Sequence, residues 1–172
     1  MDLVANNLSY KPDDQYHLNE VSFNFKEGNL YTILGRTLSG KTTLLKTIAG
    51  LLTPDSGEIE FDGKNFLKIP VWERNVAMVY QQFINYPHLN VFENIAFPLK
   101  QRKIDQSIIN EKVMDALKSV GLLGYENRKI QELSGGQQQR VSLARSLVKN
   151  AKILLLDCLL YTSPSPRDSI AS

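Results

Sequence analysis

The feature that most constrains the fold is a glycine-rich loop, residues 35–42 (GRTLSGKT), between an apolar run and a helix-like run. It fits the Walker A pattern G-x-x-x-x-G-K-[ST], in which backbone N–H groups and a lysine surround phosphate oxygens. The apolar run before it, residues 30–34 (LYTIL), predicts a strand buried on both faces. The run after it, residues 41–49, predicts a helix that ends at Gly50. A strand, a loop and a helix in this order favour an α/β core.

Phosphate binding would assign roles to the residues of this loop. A glycine-rich turn that leads into a helix offers backbone N–H groups and the positive end of the helix dipole. Lys41 would reach the β- and γ-phosphates, and the Thr42 hydroxyl would hold Mg²⁺. The alternative is a chance glycine-rich turn, which the flanking strand and helix disfavour. The predicted triphosphate site consists of Gly35, Arg36, Thr37, Leu38, Ser39, Gly40, Lys41, Thr42 and Thr43.

Two further motifs follow later in the chain. Residues 133–137 read LSGGQ, in which Ser134 can cap a helix while Gly135 and Gly136 leave its first N–H groups bare for an anion. Residues 153–156 (ILLL) lead into Asp157, where a carboxylate at a strand end could hold Mg²⁺. Taken alone, the first motif is also a capped helix, and the second is also an ordinary strand-terminal aspartate.

The N-terminal part of the chain favours strands. Residues 1–34 are mostly β-like, and within them residues 21–25 alternate between apolar and polar types, as in a half-exposed strand. Asp62 and Gly63 favour a tight hairpin turn between two short strands. Residues 76–80 (VAMVY) predict another strand.

The part that follows favours helices. Asn90 and Glu93 have the spacing of a capping box, which opens a helix. Residues 105–120 place apolar side chains on one helical face, and residues 136–148 are predicted to be helical as well. We therefore expect residues 89–150 to form a mostly helical subdomain inserted between core strands.

Composition excludes several classes of protein. A net charge of +2 gives no argument for nucleic-acid binding, so no nucleic-acid partner is predicted. No apolar run reaches the roughly 20 residues that span a bilayer, and no secretory signal is visible. The single cysteine allows no disulfide framework, which suits a reducing cytoplasm. A membrane role would have to come through partners.

The order of these motifs resembles the ATP-binding cassette (ABC) family over residues 1–157. The resemblance implies a P-loop NTPase core with an N-terminal antiparallel β region and an inserted helical subdomain, the C-terminal part of the fold being missing. Gln81 matches the glutamine that senses the Mg²⁺ site and faces the membrane subunit. Tyr10 fits the aromatic residue that stacks on adenine. Tyr16 is the alternative, and either tyrosine could instead be a packing residue.

The same resemblance implies ATP and Mg²⁺ as cofactors, with Lys41, Gln81 and Asp157 as catalytic residues and Thr42, Gln81 and Asp157 as metal ligands. Two cassettes dimerise head to tail in this family. One cassette then covers the γ-phosphate held by the other through Ser134, Gly135, Gly136 and Gln137. The implied partners are a second cassette, transmembrane permease subunits and, through the complex, an extracytoplasmic solute-binding protein. The implied location is the cytoplasmic face of a bacterial inner membrane.

Residues 80–99 resemble bacterial importers of carbohydrates and polyols, the maltose-type group. Within the loop, Arg36, Thr37 and Leu38 depart from the commoner Pro-Ser-Gly and are similar to the glycerol branch of that group. We therefore expect the chain to couple ATP hydrolysis to the uptake of a sugar or polyol. Most phosphate contacts of the loop come from the backbone, so Leu38 need not prevent binding.

The family pattern breaks after Asp157. The general-base glutamate is replaced by Cys158, whose thiol polarises water poorly, and no histidine follows that could serve as the switch histidine. Residues 158–168 resemble a translated sequencing adapter, and residues 158–172 are therefore expected to be a non-native tail. We expect the chain as written to bind nucleotide weakly and to hydrolyse little.

Two alternatives belong to other functional classes. A soluble ABC-type ATPase that acts on DNA or ribosomes would need a long coiled-coil insertion or a second cassette, and the sequence contains neither. A non-catalytic nucleotide-binding module would require Cys158 to be genuine. Stable ATP binding without turnover would favour that module.

Overall fold

The computed structural model describes residues 1–80 and 84–157. The described residues form two compact units. The first contains Met1–Met78 and Ala151–Leu155, and the second contains Val79–Asn150 with Leu156 and Asp157. The predicted residues Gln81 and Cys158 lie outside the described residues, as does the rest of the expected tail.

The first unit is built on an antiparallel sheet, which confirms the predicted β region. Its strand order is β2-β1-β3-β4, and its strands are β1 (Asp2–Tyr10), β2 (Leu18–Lys26), β3 (Ser56–Phe61) and β4 (Lys64–Asn65). Asp62 and Gly63 connect β3 to β4 with positive φ angles of 54° and 72°. Two consecutive left-handed residues match the twist of a tight hairpin, so the turn prediction is confirmed.

Helix α1 (Lys41–Ala49) contributes its apolar face to the core of this unit. Its C-terminus is held by Arg74, whose guanidinium donates to the carbonyl oxygens of Thr47 at 3.2 Å and Ile48 at 3.1 Å. A cation at this end complements the helix dipole. Burial lowers the pKa of Arg74. The core consists of Leu3, Ala5, Leu8, Leu18, Leu44, Leu45, Ile48, Ala49, Ile59, Phe66 and Leu155.

The prediction of a buried strand over residues 30–34 is wrong for the described structure. These residues lie outside any strand, and Leu30 and Leu34 are 90% and 86% exposed. A strand needs neighbours that pair with its backbone, and none of the strand pairings formed by residues 1–80 and 84–157 includes this segment. Tyr31 instead turns back onto β2, where its ring stacks on Phe25 with 4.4 Å between centroids.

The second unit contains three helices, α2 (Val91–Gln101), α3 (Gln106–Ser119) and α4 (Gly135–Leu147). The predicted capping box opens α2, because Glu93 N–H donates to Asn90 Oδ1 at 2.7 Å and Asn90 N–H donates to Glu93 Oε2 at 3.1 Å. The helices enclose a separate core of Val91, Ile95, Ala96, Leu99, Ile109, Val113, Ala116, Leu117, Val120, Leu122, Ile130, Leu133, Val141, Ala144 and Val148.

Strands β5 (Val76–Val79) and β6 (Ile153–Leu156) pair with each other. Ile153 N–H donates to Asn75 O at 3.3 Å, and Asp157 N–H donates to Val79 O at 2.9 Å. Residue numbers rise together along the two strands, so the pair is parallel. None of the described helices is both long enough and apolar enough to cross a membrane.

Candidate functional site

The glycine-rich loop closes around its own lysine. Lys41 Nζ donates to the carbonyl oxygens of Gly35 at 2.8 Å and Arg36 at 2.6 Å, and to Ser39 Oγ at 3.3 Å. The ammonium group therefore lies within the curve of the loop that precedes its helix. A phosphate group that entered the loop would offer this ammonium a charged acceptor in place of neutral carbonyl oxygens, and charge-assisted hydrogen bonds are the stronger ones.

The first turn of α1 leaves its backbone donors without a side-chain cap. Gly40 is the N-cap residue, with φ at 83°, no side-chain cap hydrogen bond is formed in this turn, and the turn contains no acidic residue. The first N–H groups of a helix have no partner within the helix, and they carry the positive end of its dipole. Together with Lys41, they form an environment suited to an anion.

Glycine has a steric reason at Gly40, where a Cβ would meet backbone, whereas at Gly35 a Cβ would meet a serine side chain that can rotate. A Cβ at Gly40 would lie 1.9 Å from the carbonyl oxygen of His17, and a Cβ at Gly35 would lie 2.5 Å from Ser39 Oγ. Leu38, in contrast, has a positive φ of 65° and a side chain that is 97% exposed. The loop therefore contains one left-handed residue that is not glycine and that makes little packing contact.

His17 is a neighbour of the loop that the sequence motifs did not predict. Its ring nitrogen Nδ1 lies 3.5 Å from Thr43 Oγ1, and its Nε2 lies 3.9 Å from Asp13 Oδ2. His17 precedes Asp157 in the chain, so it cannot be the switch histidine that the family pattern has after that residue. The contact between His17 and Thr43 spans 26 residues, so no local sequence motif indicates it.

The two tyrosines considered for adenine stacking have different surroundings. Tyr10 is half-buried at the end of β1, and its ring meets the His17 ring edge-on with 6.1 Å between centroids. Tyr16 is 56% exposed, with Lys11 Nζ 5.2 Å from its ring centroid. Neither environment excludes stacking on a base, so the assignment stays a prediction.

The LSGGQ motif lies at the start of α4, and there the cap is complete. Gln137 N–H donates to Ser134 Oγ at 3.3 Å, and Ser134 N–H donates to Gln137 Oε1 at 2.9 Å. The serine thus caps the helix as expected from the sequence. Gly136 has no neighbour within 4 Å of the place where a Cβ would be, so this glycine faces open space.

Polar contacts join α4 to the segment just before α2. Asn85 Nδ2 donates to Gln138 O at 2.9 Å, and Arg145 donates to Ile84 O. The Arg145 guanidinium also lies over the Tyr86 ring, 5.0 Å from its centroid. Burial lowers the pKa of Arg145. These contacts were not predicted from the sequence, since no local pattern indicates them.

Asp157 follows β6 and is 7% exposed. No cluster of three or more histidine, cysteine, aspartate or glutamate residues suited to a metal occurs in the part of the chain that the structure describes. Mg²⁺ in nucleotide sites is commonly held by only one or two protein oxygens together with phosphates. The Thr42 hydroxyl in the first unit is an oxygen donor of this kind, and so, in the second unit, is the Asp157 carboxylate.

A cavity of about 500 Å³ lies elsewhere in the first unit, and Asn7, Glu20 and Glu58 are among its lining residues. None of the residues that the sequence predicts for the site lines this cavity. The candidate site is therefore the loop and the first turn of α1 rather than this cavity.

Comparison with known proteins identifies the family. Residues 18–158 match the family model described as ABC transporter, so the chain belongs to the ABC transporter family. It is 49% identical over 155 residues to the spermidine/putrescine import ATP-binding protein PotA of Mycoplasma capricolum subsp. capricolum. That match covers 90% of this chain and 44% of the relative, so the chain spans less than half of the relative's length.

Solved structures agree with this assignment. The chain is similar to cbiO1 from Clostridium perfringens, part of the ABC transporter complex cbiONQ, with a TM-score of 0.79 and 29% identity over 90% of this chain and 64% of that one. It is also similar to the ATP-binding cassette MJ0796, dimeric in a post-hydrolysis state bound to ADP and Pi. There the TM-score is 0.78 and the identity 32%, over 90% and 72% of the two chains. The predicted α/β P-loop NTPase class is therefore confirmed.

Proposed function

We propose that this chain is the ATP-binding subunit of an ABC importer. The observation that carries the proposal is the start of α1, where a helix start without a side-chain cap hydrogen bond and the Lys41 ammonium meet in one loop. Such a start binds the phosphates of a nucleotide through backbone donors, the helix dipole and a positive side chain. Family membership and the similarity to a cassette bound to ADP and Pi support ATP as the nucleotide.

The proposed roles follow the chemistry of each residue. Lys41 contacts the β- and γ-phosphates, and Thr42 and Asp157 hold Mg²⁺ together with Gln81. When bound, Mg²⁺ neutralises charge on the phosphates. Tyr10 is proposed to stack on adenine, with Tyr16 as the alternative. Ser134, Gly135, Gly136 and Gln137 act on the nucleotide of a second cassette, so the proposed active form is a dimer.

Calorimetric titration with Mg-ATP tests nucleotide binding. Lys41→Ala is expected to weaken binding by about a hundredfold, because it removes one charge-assisted contact to the phosphates. Lys112→Ala is the matched control, since Lys112 is exposed on α3, outside the proposed site. Equal affinities of the wild-type chain and Lys41→Ala would contradict the proposal.

The transported solute is proposed to be a polyamine. The support is the 49% identity to a protein named for spermidine/putrescine import. The competing candidate is a sugar or polyol, which the resemblance of residues 80–99 to carbohydrate and polyol importers favours. The sequence identity to PotA does not support the assignment of a sugar or polyol as the solute. On either account the subunit would work with transmembrane permeases and a solute-binding protein at the cytoplasmic face of the membrane.

Uptake in the source organism would separate the two solutes. Disrupting the gene is expected to abolish accumulation of labelled putrescine and spermidine while leaving glycerol uptake unchanged. Complementation with the intact gene is the control. Loss of glycerol uptake with normal polyamine uptake would favour the polyol candidate instead.

Hydrolysis by the chain as written is proposed to be weak, because Cys158 stands where the family has a glutamate. We further propose that residues 158–172 are a non-native tail. Sequencing the source gene across the codons for Asp157 and Cys158 tests this. Glu-Pro after Asp157 would support an active transport ATPase, and a genomic Cys-Leu-Leu would favour a binding-only cassette. A steady-state ATPase rate equal to that of intact cassettes would contradict weak hydrolysis.

A further inference from the structure

His17 is held against the start of α1 by its backbone. Its N–H donates to the Tyr10 carbonyl oxygen at 2.9 Å, which closes the loop of residues 11–16. Its own carbonyl oxygen would lie 1.9 Å from a Cβ at Gly40, so the two backbones are in direct contact. The ring therefore has a defined place beside the first turn of the helix. Replacing the side chain leaves both backbone contacts available.

The ring of His17 faces a mixed environment. Thr43 on α1 presents an uncharged hydroxyl oxygen 3.5 Å from Nδ1. The neighbouring titratable groups are Asp13 on the same loop, 3.9 Å from Nε2, and Tyr10 at the end of β1, whose ring meets the imidazole edge-on. The His17 side chain is 42% exposed. The ring is therefore open to solvent beside the first turn of α1.

We propose that His17 is a further nucleotide-binding residue, which in its protonated form donates a hydrogen bond to a phosphate oxygen held at the start of α1. The inference rests on the proposed function, because it requires phosphates in this loop. A protonated imidazole donates from both ring nitrogens, so one can contact the ligand while the other stays with Asp13. Lys41 supplies positive charge from within the loop, and His17 supplies it on the side of Thr43.

A pH dependence follows from linkage. An anion that prefers protonated His17 must also increase the proton affinity of His17, because coupling between two binding events is reciprocal. Imidazole changes its protonation between about pH 5 and 8. Nucleotide affinity is therefore expected to rise as the pH falls from 8 to 6, and the gain should disappear when His17 is replaced by a neutral residue.

The first test observes the ring itself. The chain contains two histidines, His17 and His88, so His88→Gln leaves His17 as its single imidazole. Its ring-proton resonances are followed by NMR from pH 5 to 8.5, with and without Mg-ADP. We expect ADP to move the titration midpoint upward by about one unit, since one unit corresponds to a tenfold difference in ligand affinity between the two protonation states. An unchanged midpoint with ADP bound would overturn the inference.

The second test measures affinity. Calorimetry with Mg-ADP at pH 6 and pH 8 is expected to give wild type and His88→Gln about five- to tenfold tighter binding at pH 6, which is the effect of a shift of about one unit in the titration midpoint. In His17→Gln, the affinity for Mg-ADP should change with pH only through the titration of the phosphate itself. If wild type binds Mg-ADP and the pH dependence of its affinity is the same in His17→Gln, this inference is overturned while the proposed function stands. Absence of binding by wild type at both pH values overturns the proposed function as well.

Discussion

Two helices of this chain begin at glycine-rich segments, and their first turns are built differently. Helix α1 begins at Gly40, with no side-chain cap hydrogen bond and no acidic residue in its first turn. Helix α4 begins at Ser134, and reciprocal hydrogen bonds with Gln137 complete a capping box there. Similar composition thus produces one helix start without a side-chain cap hydrogen bond and another at which Gln137 N–H is already engaged by Ser134 of the same turn.

The difference determines what must move when a phosphate binds. At α1, Lys41 would exchange the carbonyl oxygens of Gly35 and Arg36 for phosphate oxygens, and no side-chain cap hydrogen bond would have to break. At α4, the Ser134 hydroxyl would have to share or give up its contact with Gln137 N–H. A neutral hydrogen bond contributes about 1 kcal/mol, so the second site is expected to bind phosphate more weakly on its own.

The largest effect is expected at Gly40. Gly40→Ala places a Cβ against the His17 carbonyl oxygen at a residue whose φ is 83°, so overpacking and backbone strain combine. We expect the free energy of unfolding to fall by about 3 kcal/mol or more. Urea denaturation followed by circular dichroism measures this.

Gly124→Ala is the matched control for Gly40→Ala. Gly124 also has a positive φ, 85°, but no atom lies within 4 Å of the position where its Cβ would be. Backbone strain without a clash should cost about 1 kcal/mol. If the two variants lost the same stability, close contact between Gly40 and His17 would not be the cause.

The cap of α4 should have a smaller effect. Ser134→Ala removes the hydroxyl that accepts from Gln137 N–H, and loss of an N-cap costs about 1 kcal/mol. Ser134→Asn restores an acceptor and serves as the control in the same denaturation experiment. Full stability of Ser134→Ala would show that this capping contact contributes nothing. Nucleotide binding to α1 of the isolated chain should stay unchanged in both variants.

Local chemistry explains what could be predicted from the sequence. The Asp62–Gly63 turn, the capping box at Asn90 and the helix cap at Ser134 each depend on residues at most three apart, and all are present. The prediction of a buried strand over residues 30–34 is wrong because the apolar pattern indicates burial within a sheet, and a sheet requires paired neighbours. No described strand supplies that pairing.

The candidate site shows the same limit. The loop around Lys41 follows from a contiguous motif, whereas the contact between His17 and Thr43 spans 26 residues and that between Asn85 and Gln138 spans 53. Such contacts depend on how strands and helices pack, and a single sequence contains no periodicity for them. Predictions from the residues alone therefore included the loop and its lysine but not the contact of His17 with Thr43.

Leu38 is a position of the loop at which backbone strain can be removed by substitution. Its φ of 65° lies in the left-handed region, which costs an L-residue about 1–2 kcal/mol, and its exposed side chain contributes little packing. Leu38→Gly removes that strain but makes the unfolded chain more flexible, so a net gain of about 0.5–1 kcal/mol is expected. Leu30→Gly, at an exposed leucine without positive φ, should show no such gain. Urea midpoints of the three proteins provide the measurement.

The smallest effect is expected at Gly136, and it separates stability from function at α4. A Cβ at Gly136 meets nothing within 4 Å, and alanine favours a helix over glycine, so Gly136→Ala should stabilise the chain by about 0.5 kcal/mol. The same methyl group would stand beside the N–H groups that the proposed dimer directs at the partner's nucleotide. We therefore expect ATP-dependent dimerisation, measured by analytical ultracentrifugation, to weaken although the fold becomes more stable. A variant that is more stable and dimerises as well as wild type would show that the start of α4 does not approach a second nucleotide, and the contrast between the two helix starts would then be structural only.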